Sequence, residues 1–224
     1  MKKAPKSARG LFHATGKKSR PVNVRLPDGS YEKAAARERS EDDFDRTPPA
    51  AIQALIHHEG ARLRQFPAIW DPSAGDGRIV RALEEEGFTV IASDMVDRGA
   101  GYEVRNFYDF AEAPSLASVQ NPPFGECSWG DGKVRWQKHL LETLGLEYVA
   151  LLLPWMWPGA GGLKPFWANH APARVYLMRW RLDFTGQGAQ PSLHAWYVFD
   201  KTWKGETVLR MMDQVDPSQG ILDL

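Results

Sequence analysis

Asn121-Pro122-Pro123-Phe124 is the segment of this 224-residue chain with the richest chemical content. Two consecutive prolines fix φ and remove two backbone donors, leaving rigid carbonyls beside an Asn side chain that offers a further acceptor. Such a turn can hold an NH2 group. An exocyclic amine on a heteroaromatic ring is a poor nucleophile because its lone pair is delocalised into the ring. Two acceptors, the Asn121 side-chain oxygen and the Pro122 carbonyl, would draw its hydrogens out of the ring plane and favour the tetrahedral nitrogen of a transition state. Phe124 would stack on the ring. An ordinary surface turn followed by a core Phe is the commoner fate of an Asn-Pro dipeptide, so the turn gains meaning only from its neighbours.

The first neighbour is Ile69-Trp70-Asp71-Pro72-Ser73-Ala74-Gly75-Asp76-Gly77-Arg78, where two glycines stand at a strand-to-helix turn and let backbone approach a ligand. The full G-x-G-x-x-G spacing is absent, and so is any G-x-x-x-x-G-K-[ST] loop, which argues against a triphosphate site. The second is Asp94, at the end of the next apolar segment, where a carboxylate can accept hydrogen bonds from both hydroxyls of a ribose.

These residues need a frame, and the chain supplies one. Residues 1–46 are rich in Lys, Arg, Ser, Gly and Asp and read as a basic arm and linker. Thr47 reads as a helix cap with Pro48 and Pro49 in the first turn and Ile52, Leu55 and Ile56 on one face, to about Gly60. Short strands are expected at 68–70, 88–93, 103–104, 118–120, 148–153, 174–178 and 194–199, with helices at 78–86, 136–144 and 165–169. Strands alternating with helices predict an α/β fold around a mostly parallel seven-stranded sheet covered on both faces. Asn121 and Asp94 then lie at the carboxyl ends of strands, where open α/β sheets place ligands.

Composition narrows the class further. With 43% hydrophobic and 25% charged residues the chain is globular rather than wholly disordered. Its longest apolar run, from Tyr148 into Trp157, is too short to span a membrane. The basic N-terminus lacks the apolar run of a secretory signal, and the one cysteine, Cys127, has no internal disulfide partner, so a cytoplasmic location is expected. The net charge of zero hides an asymmetry: residues 1–25 carry eight Lys or Arg and no acid, and removing those from the 28 basic residues leaves 20 against 28 acidic ones. A basic arm on an acidic body suits a polyanion such as nucleic acid.

Taken in order, Thr47-Pro48-Pro49, Asp71 to Gly77, Asp94 and Asn121 to Phe124 resemble the class I S-adenosylmethionine-dependent amino-methyltransferases, and most closely the DNA adenine methyltransferases of phage and prophage type. The resemblance spans roughly residues 44–204 and extends to Leu151-Leu152-Leu153-Pro154, Pro172 to Arg181 and His194 to Asp200. It implies a Rossmann-like methyltransferase fold over 47–210 with a C-terminal tail at 211–224, and S-adenosyl-L-methionine as cofactor. It implies that Asp71, Pro72, Ser73, Ala74, Gly75 and Gly77 surround the methionine part with Thr47 and Pro48 nearby, and that Asp94, followed by Met95, takes the ribose. Asn106 or Asp109, with Phe107 between them, would meet the cofactor adenine. Asn121, beside the cofactor, would with Pro122, Pro123 and Phe124 hold a target base flipped out of its helix. The implied partner is DNA, in a bacterial or phage-infected host cytoplasm, with RNA as the alternative, no membrane and no metal. Cytosine N4, an RNA base amine or a protein glutamine would suit the same turn, and a silent nucleic-acid-binding protein is the reading of another class. The family's long recognition insert is missing, since the loops at 126–133 and 186–192 are short.

Other reactive side chains carry less. Cys127 lies on no Pro-Cys turn of the kind that adds a thiolate to cytosine. His57, His58 and His139 lack partners at zinc spacing. Trp155 and Trp157 could line a base pocket, although core packing is the usual role of Trp. Lys133, Arg135, Lys138, Arg179 and Arg181 are candidate phosphate contacts or merely solvated charges.

Overall fold

Tyr148, Ala150 and Leu152 pack into one hydrophobic cluster while Val149, Leu151 and Leu153 pack into another, and all six are fully buried. The same alternation divides Ile69 from Trp70, Tyr176 from Val175, and Trp196 and Val198 from Tyr197 and Phe199. A strand buried on both faces reads as a continuous apolar run because its period-2 pattern has no polar side.

The computed structural model describes residues 23–25, 31–33, 45–127, 134–159, 161–184, 186, 188–189 and 192–215. The chain forms two units, 1–42 and 43–224. In the first, β1 (Asn23–Arg25) pairs antiparallel with β2 (Tyr31–Lys33), with Val24 opposite Glu32. The sequence reading placed no strand in this stretch. Most of the basic arm lies outside the described residues.

The second unit holds α1 (Pro49–Leu63), β3 (Ile69–Asp71), α2 (Arg78–Glu85), β4 (Val90–Asp94), β5 (Glu103–Val104), β6 (Ala117–Gln120) and α3 (Phe124–Cys127). It continues through α4 (Arg135–Lys138), which runs into a π turn at His139–Thr143, then β7 (Tyr148–Pro154), α5 (Lys164–Asn169), β8 (Arg174–Met178), β9 (His194–Asp200) and β10 (Val208–Met212). The sheet order is β10-β8-β9-β7-β6-β3-β4-β5, parallel throughout except for β9, which runs antiparallel to β7 and β8. Residues of α1 and α2 cover one face; α4, the π turn and α5 cover the other. Each fully buried Leu, Ile or Val of these clusters contributes about 1.5–3 kcal/mol.

Two expectations need correction. The sheet has eight strands rather than seven, because β10 adds to the edge of β8 with Leu209 and Met211 exposed, so it shows no apolar alternation in the sequence. The cap of α1 is Pro48 rather than Thr47: Pro48 is extended (φ −65°, ψ 137°) because a residue before proline avoids the helical region, and the helix starts only at Pro49. The stop of α2 is as expected, with Glu86 as cap and Gly87 at φ 81°.

At the amino-terminal edge of the sheet a buried network joins α1 to the strands. The Glu59 carboxylate accepts from Arg174 Nε at 2.5 Å and Nη2 at 2.8 Å, from the Tyr176 hydroxyl at 2.5 Å and from the Tyr148 hydroxyl at 3.2 Å. Arg174 and Arg62 both reach Asp200, whose carboxyl is held well below its usual range by these hydrogen bonds in spite of burial. The opposite, carboxyl-terminal edge carries the candidate site.

Candidate active site

From β3 the chain moves first to β4 and β5 on one side and then to β6 on the other, so the strand order reverses between β3 and β6. This is the crevice where doubly wound sheets bind ligands. Asp71 ends β3 and Asn121 directly follows β6, so the two turns singled out in the sequence face each other across it. They are joined by a hydrogen bond: the Ser73 hydroxyl donates to the Asn121 main-chain carbonyl at 3.2 Å.

Asp71 is completely buried. Its Oδ1 accepts the Ser73 N–H at 3.1 Å, while Oδ2 is buried with no hydrogen-bond partner among the described residues. Burial, only partly offset by the Ser73 N–H, pushes the carboxyl up to about 8, and the charge of Asp94 adds to the rise. An acid left half-satisfied at such a cost marks a place for a cation or a donor.

Gly75 and Gly77 are left-handed, at φ 57° and 80°. Gly77 begins α2 under the Tyr102 ring, and a Cβ there would collide with the Tyr102 hydroxyl. The left-handed backbone at Gly77 already disfavours any other residue, and the Tyr102 side chain adds a steric limit. The Gly75 N–H donates to Asp94 Oδ2 at 2.8 Å and the Val96 N–H to Oδ1 at 2.9 Å. Asp94 thus clamps the glycine turn to the end of β4 and keeps one further acceptor site on each oxygen. Pro72 and Ala74 are buried beside it, and Met95 is 64% exposed.

Asn121 donates its Nδ2–H to the Asp45 carbonyl at 2.9 Å, which turns Oδ1 away as a buried acceptor with no partner among the described residues. The Pro123 carbonyl accepts the Glu126 N–H at 3.0 Å and starts α3. Pro122 is buried and Phe124 half-buried. Phe124 packs nearly parallel to His194 (6.0 Å between centroids, 28°) and edge-on to Phe184 at 6.5 Å. His194 opens β9 opposite Pro154, and burial pushes its imidazole down to about 4, so the ring is neutral near pH 7. Thr47 is buried just before α1, in a segment held to the glycine turn by an Arg46–Asp76 ion pair of 3.3 Å.

Thr47, the Asp71–Gly77 turn, Asp94 and Asn121 therefore form one connected set. Asn106 and Asp109 sit one strand further out, both exposed, on the short 3-10 turn Phe107–Asp109; the Asn106 side chain caps that turn by accepting the Tyr108 N–H at 2.9 Å. Phe107, between them, is 3% exposed and stacks on Trp136 at 3.9 Å. Trp157 is core, its indole N–H donating to the Cys127 carbonyl at 2.6 Å, and the Cys127 side chain is buried with it. Arg135 lies over the Tyr108 ring and Arg179 pairs with Asp213; Lys133 is outside the described residues. Among the described residues no group of three or more His, Cys, Asp or Glu could hold a metal, and no helix is long and apolar enough to cross a membrane.

The sequence reading missed Asp45, Tyr102, Gln120, Trp136 and His194 as contributors to the site. Asp45 acts through its backbone, which no residue type announces. Tyr102 follows the Gly99-Ala100-Gly101 turn and His194 opens a predicted strand, and neither residue type marks a site by itself.

No family model and no curated protein sequence matches this chain. Among solved structures it is similar to a provisionally assigned class I S-adenosylmethionine-dependent methyltransferase from Listeria monocytogenes, with a TM-score of 0.54 and 13% identity over 80% of this chain and 69% of that one. It is also similar to a provisionally assigned RNA methyltransferase from Pyrococcus horikoshii, with a TM-score of 0.54 and 15% identity over 71% of this chain and 86% of that one. The chain has the Rossmann-like fold of these class I methyltransferases.

Proposed function

We propose that this protein transfers a methyl group from S-adenosyl-L-methionine to the exocyclic N6 amine of adenine in DNA, with the target base flipped out of the duplex. The observation that carries the reading is the Asn121 side chain: its amide is anchored on Asp45, and its oxygen is a buried acceptor without a partner among the described residues, at the switch point of the sheet.

The residues beside it fit the cofactor. The unpartnered Oδ2 of Asp71 suits an ammonium group, the left-handed Gly75 brings backbone close, and the remaining acceptor sites of Asp94 suit the ribose hydroxyls. Asn106 or Asp109, both exposed at the 3-10 turn after β5, takes the adenine side. When bound, S-adenosyl-L-methionine supplies an electrophilic methyl carbon on a sulfonium. The chain has to present the nucleophile. Asn121 Oδ1 accepts one amine hydrogen and the Pro122 carbonyl the other, and both acceptors are fixed before the base arrives. Phe124, backed by His194 and Phe184, offers a flat face to the base. The cofactor would be held by Asp71, Gly75 and Asp94 and would supply its methyl carbon to the amine that Asn121 Oδ1 and the Pro122 carbonyl hold. No enzyme nucleophile takes part, so the rate comes from positioning.

The basic residues 1–25 support a nucleic acid over a protein acceptor. The test is to supply the full chain with methyl-labelled cofactor and, separately, unmethylated DNA, RNA and a glutamine-containing protein. Label in DNA is the expected result; label in RNA or protein alone changes the acceptor.

A further inference from the structure

The two strands that form the crevice are weakly laddered to each other. β3 and β6 share one register pair, Trp70 with Ser118, whereas β3 and β4 share three and β6 and β7 share four. That one pair lies a residue before Asp71 and three before Asn121, so side chains share in holding the two turns at a fixed spacing.

A buried relay of side chains lies at that point. The Trp136 indole N–H donates to Gln120 Oε1 at 2.6 Å, Gln120 Nε2 donates to the Ser118 hydroxyl at 2.7 Å, and the Ser118 hydroxyl donates to the Trp70 carbonyl at 2.7 Å. Gln120 and Ser118 are completely buried, and Trp136 is 5% exposed. One end of the relay is the residue before Asp71, and its middle is the residue before Asn121. Its other end, Trp136, stacks on Phe107, which begins the 3-10 turn between Asn106 and Asp109. A Gln at a position walled by Trp70, Phe107 and Trp136 is costly unless its amide is paired, and an apolar side chain would fill the space without that requirement.

We infer that Gln120, held between Trp136 and Ser118, is a positioning residue for methyl transfer: it fixes the Asn121 turn against β3 where the strand ladder ends. This inference rests on the assignment of Asn121 as the amine-holding group. Gln120 touches neither base nor cofactor and acts through the backbone it shares with Asn121.

The test exploits the asymmetry of buried hydrogen bonds: removing one partner strands the other, while replacing both with apolar groups restores stability. Full-length Trp136→Phe and the double variant Trp136→Phe/Gln120→Met are compared with wild type for kcat on unmethylated DNA, for cofactor Kd and for Tm. Trp136→Phe is expected to lower Tm and to reduce kcat by about ten- to a hundredfold, the scale of a misplaced reacting group, with cofactor Kd unchanged within about threefold. The double variant is expected to regain Tm without regaining kcat. Recovery of kcat together with Tm, or a wild-type kcat in Trp136→Phe, would overturn the inference. The Asn121 side-chain amide resonance, identified by its loss in Asn121→Asp, supplies a readout that needs no turnover. It is expected to shift in the double variant, and an unshifted signal overturns the inference. An inactive wild type with a shifted resonance would instead remove the proposed reaction and leave the positioning intact.

Discussion

The hydroxyl of Ser73 donates to the main-chain carbonyl of Asn121 across the point where the sheet reverses its order. Its own N–H donates to Asp71, so one residue touches both halves of the site. Ser73→Ala removes a half-buried neutral hydrogen bond of about 0.5–1.5 kcal/mol. The expected outcome is a kcat lower by about two- to tenfold with little change in Tm, read from methyl transfer and thermal melting.

Asn121→Ala deletes the unpartnered acceptor and leaves the Asp71 side of the site in place. Transfer should fall by about 10²–10³, the usual cost of one preorganised transition-state contact. Cofactor affinity measured by calorimetry should survive. A fully active Asn121→Ala protein would remove the basis of the assignment and favour a binding protein that kept the fold.

Asp71 links stability to pH. Its carboxyl titrates near 8 in the fold and near 4 in the unfolded chain, so the native state holds a proton that the unfolded state has lost between those values. Its contribution to stability is complete below about pH 4 and is lost as pH rises to about 8. Asp71→Asn has no such proton. Relative to wild type, its Tm without cofactor should rise as pH goes from 5 to 8, while its affinity for S-adenosyl-L-methionine falls. Melting curves across that range, with and without cofactor, check both.

The Glu59 network sits at the far edge of the sheet. Glu59→Gln removes one of the two carboxylates that face the part-buried Arg174 guanidinium and leaves Asp200 in place, so it costs less than the about 3–5 kcal/mol of a wholly uncompensated buried charge. Tm should drop accordingly, while kcat measured well below the new Tm should stay at the wild-type value.

The doubly buried strands are written in the sequence as apolar runs at Tyr148 to Leu153 and His194 to Phe199, and Asp71, Asp94 and Asn121 stand out because each ends or follows a predicted strand. What was not legible depends on contacts rather than residue types. β10 exposes Leu209 and Met211 and so hides its strand period. Phe107 lies in a segment that adjoins the site and packs its ring against Trp136. The Asp45 carbonyl, which orients Asn121, belongs to the backbone. Gln120 carries no motif, and its part emerges only when Trp136 and Ser118 are seen on either side of it.

The most direct measurement is to incubate the purified full-length protein with S-adenosyl-L-methionine and unmethylated double-stranded DNA, digest the DNA to nucleosides and identify methylated bases by mass spectrometry. The proposed reaction predicts N6-methyladenine in the DNA treated with wild-type protein and its absence after treatment with Asn121→Ala. DNA that carries no methylated adenine, from a protein shown by calorimetry to bind the cofactor, would contradict it.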